Sequence, residues 1–134
     1  MIEPRYTATE IFRILCEAYD LDQEREKWLE NHVKYLAKRG ILKGGVKEDK
    51  RGTLSFTYEE VYRAAILSEL ALFNVEVSRV EIDDLKLVID AVCGGETEKV
   101  MKFGNSQFLK LEIDVCSMFK PLIAITTDPM RLTR

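Results

Sequence analysis

At 134 residues the chain can bury one ordinary core, and at 46% hydrophobic it is too apolar for a disordered polymer. Charged residues, 32% of the total, interrupt every apolar run well short of the roughly 18 residues of a membrane span. The start, Met1 to Glu10, lacks the basic and apolar segments of a secretory signal, so a cytoplasmic location is expected.

Thr7 and Glu10 have the spacing of a capping box, and Ile11, Ile14, Leu15 and Ala18 follow at helical spacing, which predicts a first helix over Ala8 to Tyr19. After the turn-like Asp20-Leu21-Asp22, a second amphipathic run puts Leu29, Val33 and Leu36 on one face, flanked by Trp28 and Tyr35. Gly40 supplies a left-handed stop. Between Ile41 and Phe56 the helical period disappears. Gly44, Gly45 and Gly52 bracket two short predicted strands, around Val46 and over Leu54 to Phe56, with a charged tip from Lys47 to Arg51. Thr57 and Glu60 form a second capping-box signal, opening a helix through about Phe73 that is apolar over much of its circumference.

Asn74 is a plausible stop, and Ser78 with Glu81 repeats the capping signal ahead of a fourth helix carrying Leu85, Val88, Ile89 and Val92 on one face. Gly94-Gly95 ends it. Val100 to Phe103, a Gly104-Asn105-Ser106 turn and the alternation of Leu109, Leu111, Ile113 and Val115 with Lys110, Glu112, Asp114 and Cys116 then predict a hairpin. Pro121 followed by Leu122 to Thr126 reads as a third, edge strand. The expected class is α+β, with a four-helix part over residues 1–93 and a small antiparallel β element over residues 94–134.

Charge is unevenly distributed. From Lys34 to Arg51 seven cations face two acids, a local balance of +5, while from Glu76 to Glu98 seven acids face two cations, a balance of −5. One end of the molecule is therefore suited to an anionic partner. Cys16, Cys93 and Cys116 are widely spaced, fit neither a disulfide framework nor a zinc ligand set, and read as small buried hydrophobes, with redox or metal sensing as the alternative. His32 is the only histidine, which leaves a histidine-based metal cluster without support and reads as solvated or at the core edge. No nucleophile with a base and no loop for phosphate is evident, and Asp83, Asp84 and Asp90 read as solvated surface. Neither catalysis nor a cofactor is expected.

Val33-Lys34-Tyr35-Leu36-Ala37-Lys38-Arg39-Gly40-Ile41-Leu42, then Gly52-Thr53-Leu54-Ser55-Phe56, then Thr57-Tyr58-Glu59-Glu60-Val61 resemble, in order and spacing, the MerR-type winged helix-turn-helix regulators. The resemblance runs from Tyr6 to Val92. It implies that the second helix enters a major groove of double-stranded DNA, that the hairpin is a wing on the backbone, and that the protein regulates bacterial transcription. Lys34 stands for a family arginine and Tyr35 for a tyrosine whose hydroxyl donates to phosphate while its ring packs against the wing. Leu54 takes the place of the wing arginine, so that phosphate contact is not carried over. Beyond Val92 the family's long dimerising helix is replaced by the glycine pair and strands.

Lys34, Lys38 and Arg39 near the helix end, and Lys47, Lys50 and Arg51 in the wing, are the expected phosphate anchors; Lys27, Asn31 and Lys34 are spaced to reach base edges. A homodimer is expected, because one small basic face gives little specificity, and Leu109 to Val115 is the candidate dimer or effector element, with packing of its apolar face on the helical core as the alternative. Two other readings stay open: a protein-interaction module on a winged-helix scaffold that does not bind DNA, favoured by overall acidity, and a sensor with a ligand pocket between helices and C-terminal strands.

Overall fold

The computed structural model describes residues 4–103 and 111–128. The chain is mixed α+β. Strand β1 (Tyr6–Thr7) leads into helices α1 (Ala8–Tyr19) and α2 (Gln23–Lys38), and β2 (Val46–Lys47) and β3 (Leu54–Phe56) precede helices α3 (Tyr58–Leu72) and α4 (Leu85–Cys93). Strands β4 (Val100–Phe103) and β5 (Leu111–Asp114) then run into helix α5 (Val115–Thr126).

The first capping box forms as expected: the Glu10 N–H donates to Thr7 Oγ1 at 3.2 Å and the Thr7 N–H donates to Glu10 Oε1 at 3.1 Å. Asp20, in the left-handed region with φ 49°, closes α1, and Asp22 caps α2 by accepting the Arg25 N–H at 2.8 Å. Gly40, with φ 73°, ends α2 in a Schellman turn, its own N–H reaching the Ala37 carbonyl and the Ile41 N–H reaching that of Leu36.

The expected hairpin is present, with one strand added. β3 lies between β1 and β2 in an antiparallel sheet, Tyr6 opposite Phe56 and Val46 opposite Ser55. β1 has only two residues, too few for an alternating pattern, so its pairing was invisible in the sequence.

Two capping signals resolve differently. Thr57 is the N-cap of α3 but makes no side-chain cap, because Glu60 turns inward, accepting the Lys43 N–H at 2.6 Å and Arg63 Nε at 2.8 Å. Ser78 lies in a short 3-10 turn, Val77–Arg79, and α4 begins only at Leu85. Val77 and Ile82 are buried, which ties the segment between them to the core instead of letting a helix start there.

The largest departure is at the C-terminus. The stretch expected as an edge strand is the second half of α5, and Val115 and Cys116 belong to its first turn. Val115, Cys116, Phe119, Leu122 and Thr126 are its buried residues, a helical seam. Asp114 nucleates it by accepting the Ser117 N–H at 3.1 Å and the Ser117 hydroxyl at 2.7 Å. Pro121 is tolerated at the end of the second turn, where the carbonyl losing its donor is that of exposed Ser117. β4 and β5 do form the antiparallel pair expected, Val100 opposite Asp114 and Phe103 opposite Leu111. The expected turn at Gly104-Asn105-Ser106, and Leu109 and Lys110, lie outside the described residues.

α3 is the central helix, buried from Glu60 to Ser68 and again at Leu70. α5 closes the core against it: the Tyr62 hydroxyl is 2.8 Å from Thr126 Oγ1, the Tyr62 and Phe119 rings meet edge to face at 4.8 Å, and the Tyr19 hydroxyl donates to the Met118 carbonyl at 2.7 Å. Ile113, Val115, Phe119 and Leu122 share one hydrophobic cluster with Ile11, Val33 and Ile66. Among the described residues no helix is long and apolar enough to cross a membrane.

Candidate nucleic-acid interface

At about 100° per residue, α2 divides into three stripes. Leu29, Val33 and Leu36 form the buried seam. Lys27, Asn31, Lys34 and Lys38 recur at intervals of four, three and four residues, are all exposed, and lie within an arc of roughly 60° on the side away from that seam. Three ammonium groups and one amide on a single line can meet a row of acceptors. Lys34 has a 3.9 Å pairing with Glu30, exposed on both sides, so it is readily exchanged for another anion.

The third stripe is aromatic. Trp28 stacks on His32 at 4.8 Å between centroids, His32 stacks on Tyr35 at 6.1 Å, and the Arg39 guanidinium lies 5.8 Å from the Tyr35 centroid. This corrects two expectations. Arg39 does not share the face of Lys34 and Lys38, because it follows Lys38 by a single residue, about 100° round the helix. The Tyr35 ring stacks on His32 and beneath Arg39, on the flank of α2 away from the side that meets the hairpin.

The basic stripe borders a groove. Its walls are Thr7 to Thr9 at the start of α1, Lys34, Ala37 and Lys38 on α2, and Gly52 to Leu54 on the β2–β3 hairpin, enclosing about 430 Å³. Lys47 pairs with Leu54 across the hairpin, and directly opposed residues project from the same side, so Lys47 stands on the groove side as well. Leu54 is half-buried against the core, which accounts for an apolar residue where the resemblance called for arginine.

Lys50 and Arg51 are exposed at the tip. Asp49 folds that tip, accepting the Arg51 N–H at 2.9 Å and the Thr53 N–H at 3.1 Å, and Gly52 follows with φ 85°. These donors, the Thr53 N–H first, hold the Asp49 carboxyl below its ordinary value of 3.8.

The hairpin is braced at its base by contacts that the sequence did not mark. Arg5 donates through Nε to Ser55 Oγ at 2.9 Å, and through its terminal nitrogen to the Ser55 carbonyl at 2.7 Å and the Gly44 carbonyl at 3.0 Å. The Ser55 hydroxyl in turn donates to Glu48. On the other side, the buried Glu60–Arg63 pair holds Lys43 where α2 passes into the hairpin. In the sequence Arg5 carries no signal and Glu60 only that of a helix cap. Only their partners 50 and 17 positions away give them a role.

His32 is half-buried, and desolvation holds its imidazole below the ordinary 6.5, with a hydrogen bond to the Leu67 backbone acting in the opposite direction. Its Nε2 is buried without a hydrogen-bond partner. Cys116 is buried and Cys16 half-buried, whereas Cys93 is exposed at the end of α4, contrary to the expectation for all three. Burial, then Glu26 and Glu30, push the Cys16 thiol up to about 11, which makes it a poor thiolate source. Among the described residues no group of three or more His, Cys, Asp or Glu is placed to share a metal ion. Comparison with protein-family models, curated proteins and solved structures finds no match to the chain.

Proposed function

We propose that this protein is a sequence-specific double-stranded DNA-binding transcriptional regulator, with α2 in the major groove and the β2–β3 hairpin on the adjoining backbone. In this reading α1 and α2 form a helix-turn-helix of MerR-like type, and the hairpin is its wing. The observation that carries it is the line of Lys27, Asn31, Lys34 and Lys38 facing away from the core, with a groove between its end and the wing. Lysine and asparagine along an exposed helix supply donors for guanine and adenine edges, while Lys34, Lys38, Lys47, Lys50 and Arg51 supply phosphate contacts on flexible stems. The protein acts in the bacterial cytoplasm as a homodimer, since a single helix reads few base pairs and symmetry doubles them.

Fluorescence anisotropy on random and selected duplexes tests this. Affinity falls with salt at a log–log slope of roughly −4 to −5 per protomer, as about five neutralised phosphates require. Lys38→Ala weakens binding on every sequence and flattens the slope by about 0.9. Arg39→Ala flattens it less, because Arg39 is turned toward Tyr35. A slope near zero ends the proposal.

A second reading, a protein-interaction module on the same scaffold, is favoured by the aromatic stripe, with Trp28 at 38% and Tyr35 at 41% exposure. It predicts that Trp28→Ala abolishes capture of a protein partner while the salt-dependent duplex term is absent.

A further inference from the structure

On the flank of α2 away from the basic groove a cleft of about 530 Å³ opens between α1, α2, the end of α3 and the β5–α5 junction. That volume lies within the range of small-molecule sites, roughly 300–1,000 Å³. Trp28, Leu70, Phe73 and Met118 are among its apolar walls. Its ionisable lining is one-sided: Glu69, Glu112 and Asp114 face the single cation Arg25 among the described residues. Glu112 shares its charge with Lys102 at 3.9 Å, and the Ser117 hydroxyl and N–H hold Asp114 ionised by lowering its carboxyl below the ordinary 3.8. Tyr19, also in the wall, stays neutral, since burial raises its hydroxyl and its proton is donated to Met118.

One polar group in this wall has nothing to bind. Ser68 is 7% exposed, lines the cleft, and its hydroxyl has no hydrogen-bond partner. A buried hydroxyl left unpaired is costly, and rotation of this one toward the cleft would let a ligand donor or acceptor satisfy it.

We propose that this cleft binds a small organic ammonium with an apolar aryl or alkyl body, the body against Trp28, Leu70 and Phe73 and the N–H groups toward Ser68 and the carboxylates of Glu69 and Asp114. An anion of the same shape is disfavoured by the carboxylates, and a neutral one forgoes their attraction. The proposal does not depend on duplex binding, because its readout is the chain alone.

The chain contains one tryptophan, and it lines the cleft, so intrinsic fluorescence reports occupancy directly. The full-length protein is titrated with 4-phenylbutylamine, 4-phenylbutanol and 4-phenylbutyrate, which share a body and differ in charge. The expected order is amine, alcohol, acid, with the amine at least tenfold tighter than the acid. Glu69→Gln, at an exposed position that leaves the fold intact, reduces amine affinity about fivefold and leaves the alcohol unchanged. Equal affinity for amine and acid, an unchanged amine affinity in Glu69→Gln, or no saturable Trp28 response to any of the three overturns the proposal.

Discussion

His32 illustrates how a single residue can depend on two neighbours. Stacked between Trp28 and Tyr35 and partly desolvated, it is disfavoured as the imidazolium. A histidine whose folded value lies below its unfolded one contributes stability that is complete above 6.5 and is lost as pH falls below it. The melting temperature of the protein therefore drops between pH 7.5 and 5.5, and His32→Gln, whose side chain does not titrate, shows a smaller drop; calorimetry at the two values checks this. Asp49 has the same sign at lower pH. Its folded value lies below 3.8, so the turn it caps is intact at neutral pH and loosens as pH falls below about 4. Amide exchange at Arg51 and Thr53 should rise there before the core opens.

At the scale of elements, the β2–β3 hairpin is held from behind. Glu60 and Arg63 are buried as a pair, with side chains 4% and 11% exposed, and removing one charge leaves the other uncompensated. Glu60→Gln is expected to cost about 3–5 kcal/mol, and Glu60→Gln with Arg63→Met to recover much of it. Urea denaturation of the single and double variants measures both. Gly45 sets a different limit. A Cβ there would lie 2.9 Å from the ring of Phe56, which is buried and has no room to move. Gly45→Ala should destabilise by about 1–3 kcal/mol through overpacking, whereas at Gly40 the space is open and the cost of alanine is the strain of φ 73°, roughly 1–2 kcal/mol.

For the whole molecule the decisive element is α5. It packs on α1, α3 and α4 and supplies the fully buried Phe119 and Leu122 to the common core. Phe119→Ala should cost about 3–5 kcal/mol, a large part of the stability of a domain this size. Far-UV and near-UV signals should lose structure together in one transition. An intact four-helix near-UV signature after removal of residues 115–134 would show that the core closes without α5.

Local signals sufficed where one physical effect dominated. The α1 capping box, the Gly40 stop, the Leu29, Val33 and Leu36 seam and the glycine-bounded hairpin all rest on interactions within a few residues, and each is present as the sequence indicated. The positions of Lys27, Asn31, Lys34 and Lys38 on one stripe follow from helical geometry alone. Tertiary structure decided the rest. Val115 to Thr126 is compatible with either period, and burial against Tyr62 and Tyr19 selects the helix. Glu60 left its capping role because a buried arginine and a backbone N–H from another segment offered a charged partner and a donor, which outweigh a solvated cap. The cleft beside Trp28 is assembled from four separate stretches of chain, and nothing in any one of them shows that the others will meet it.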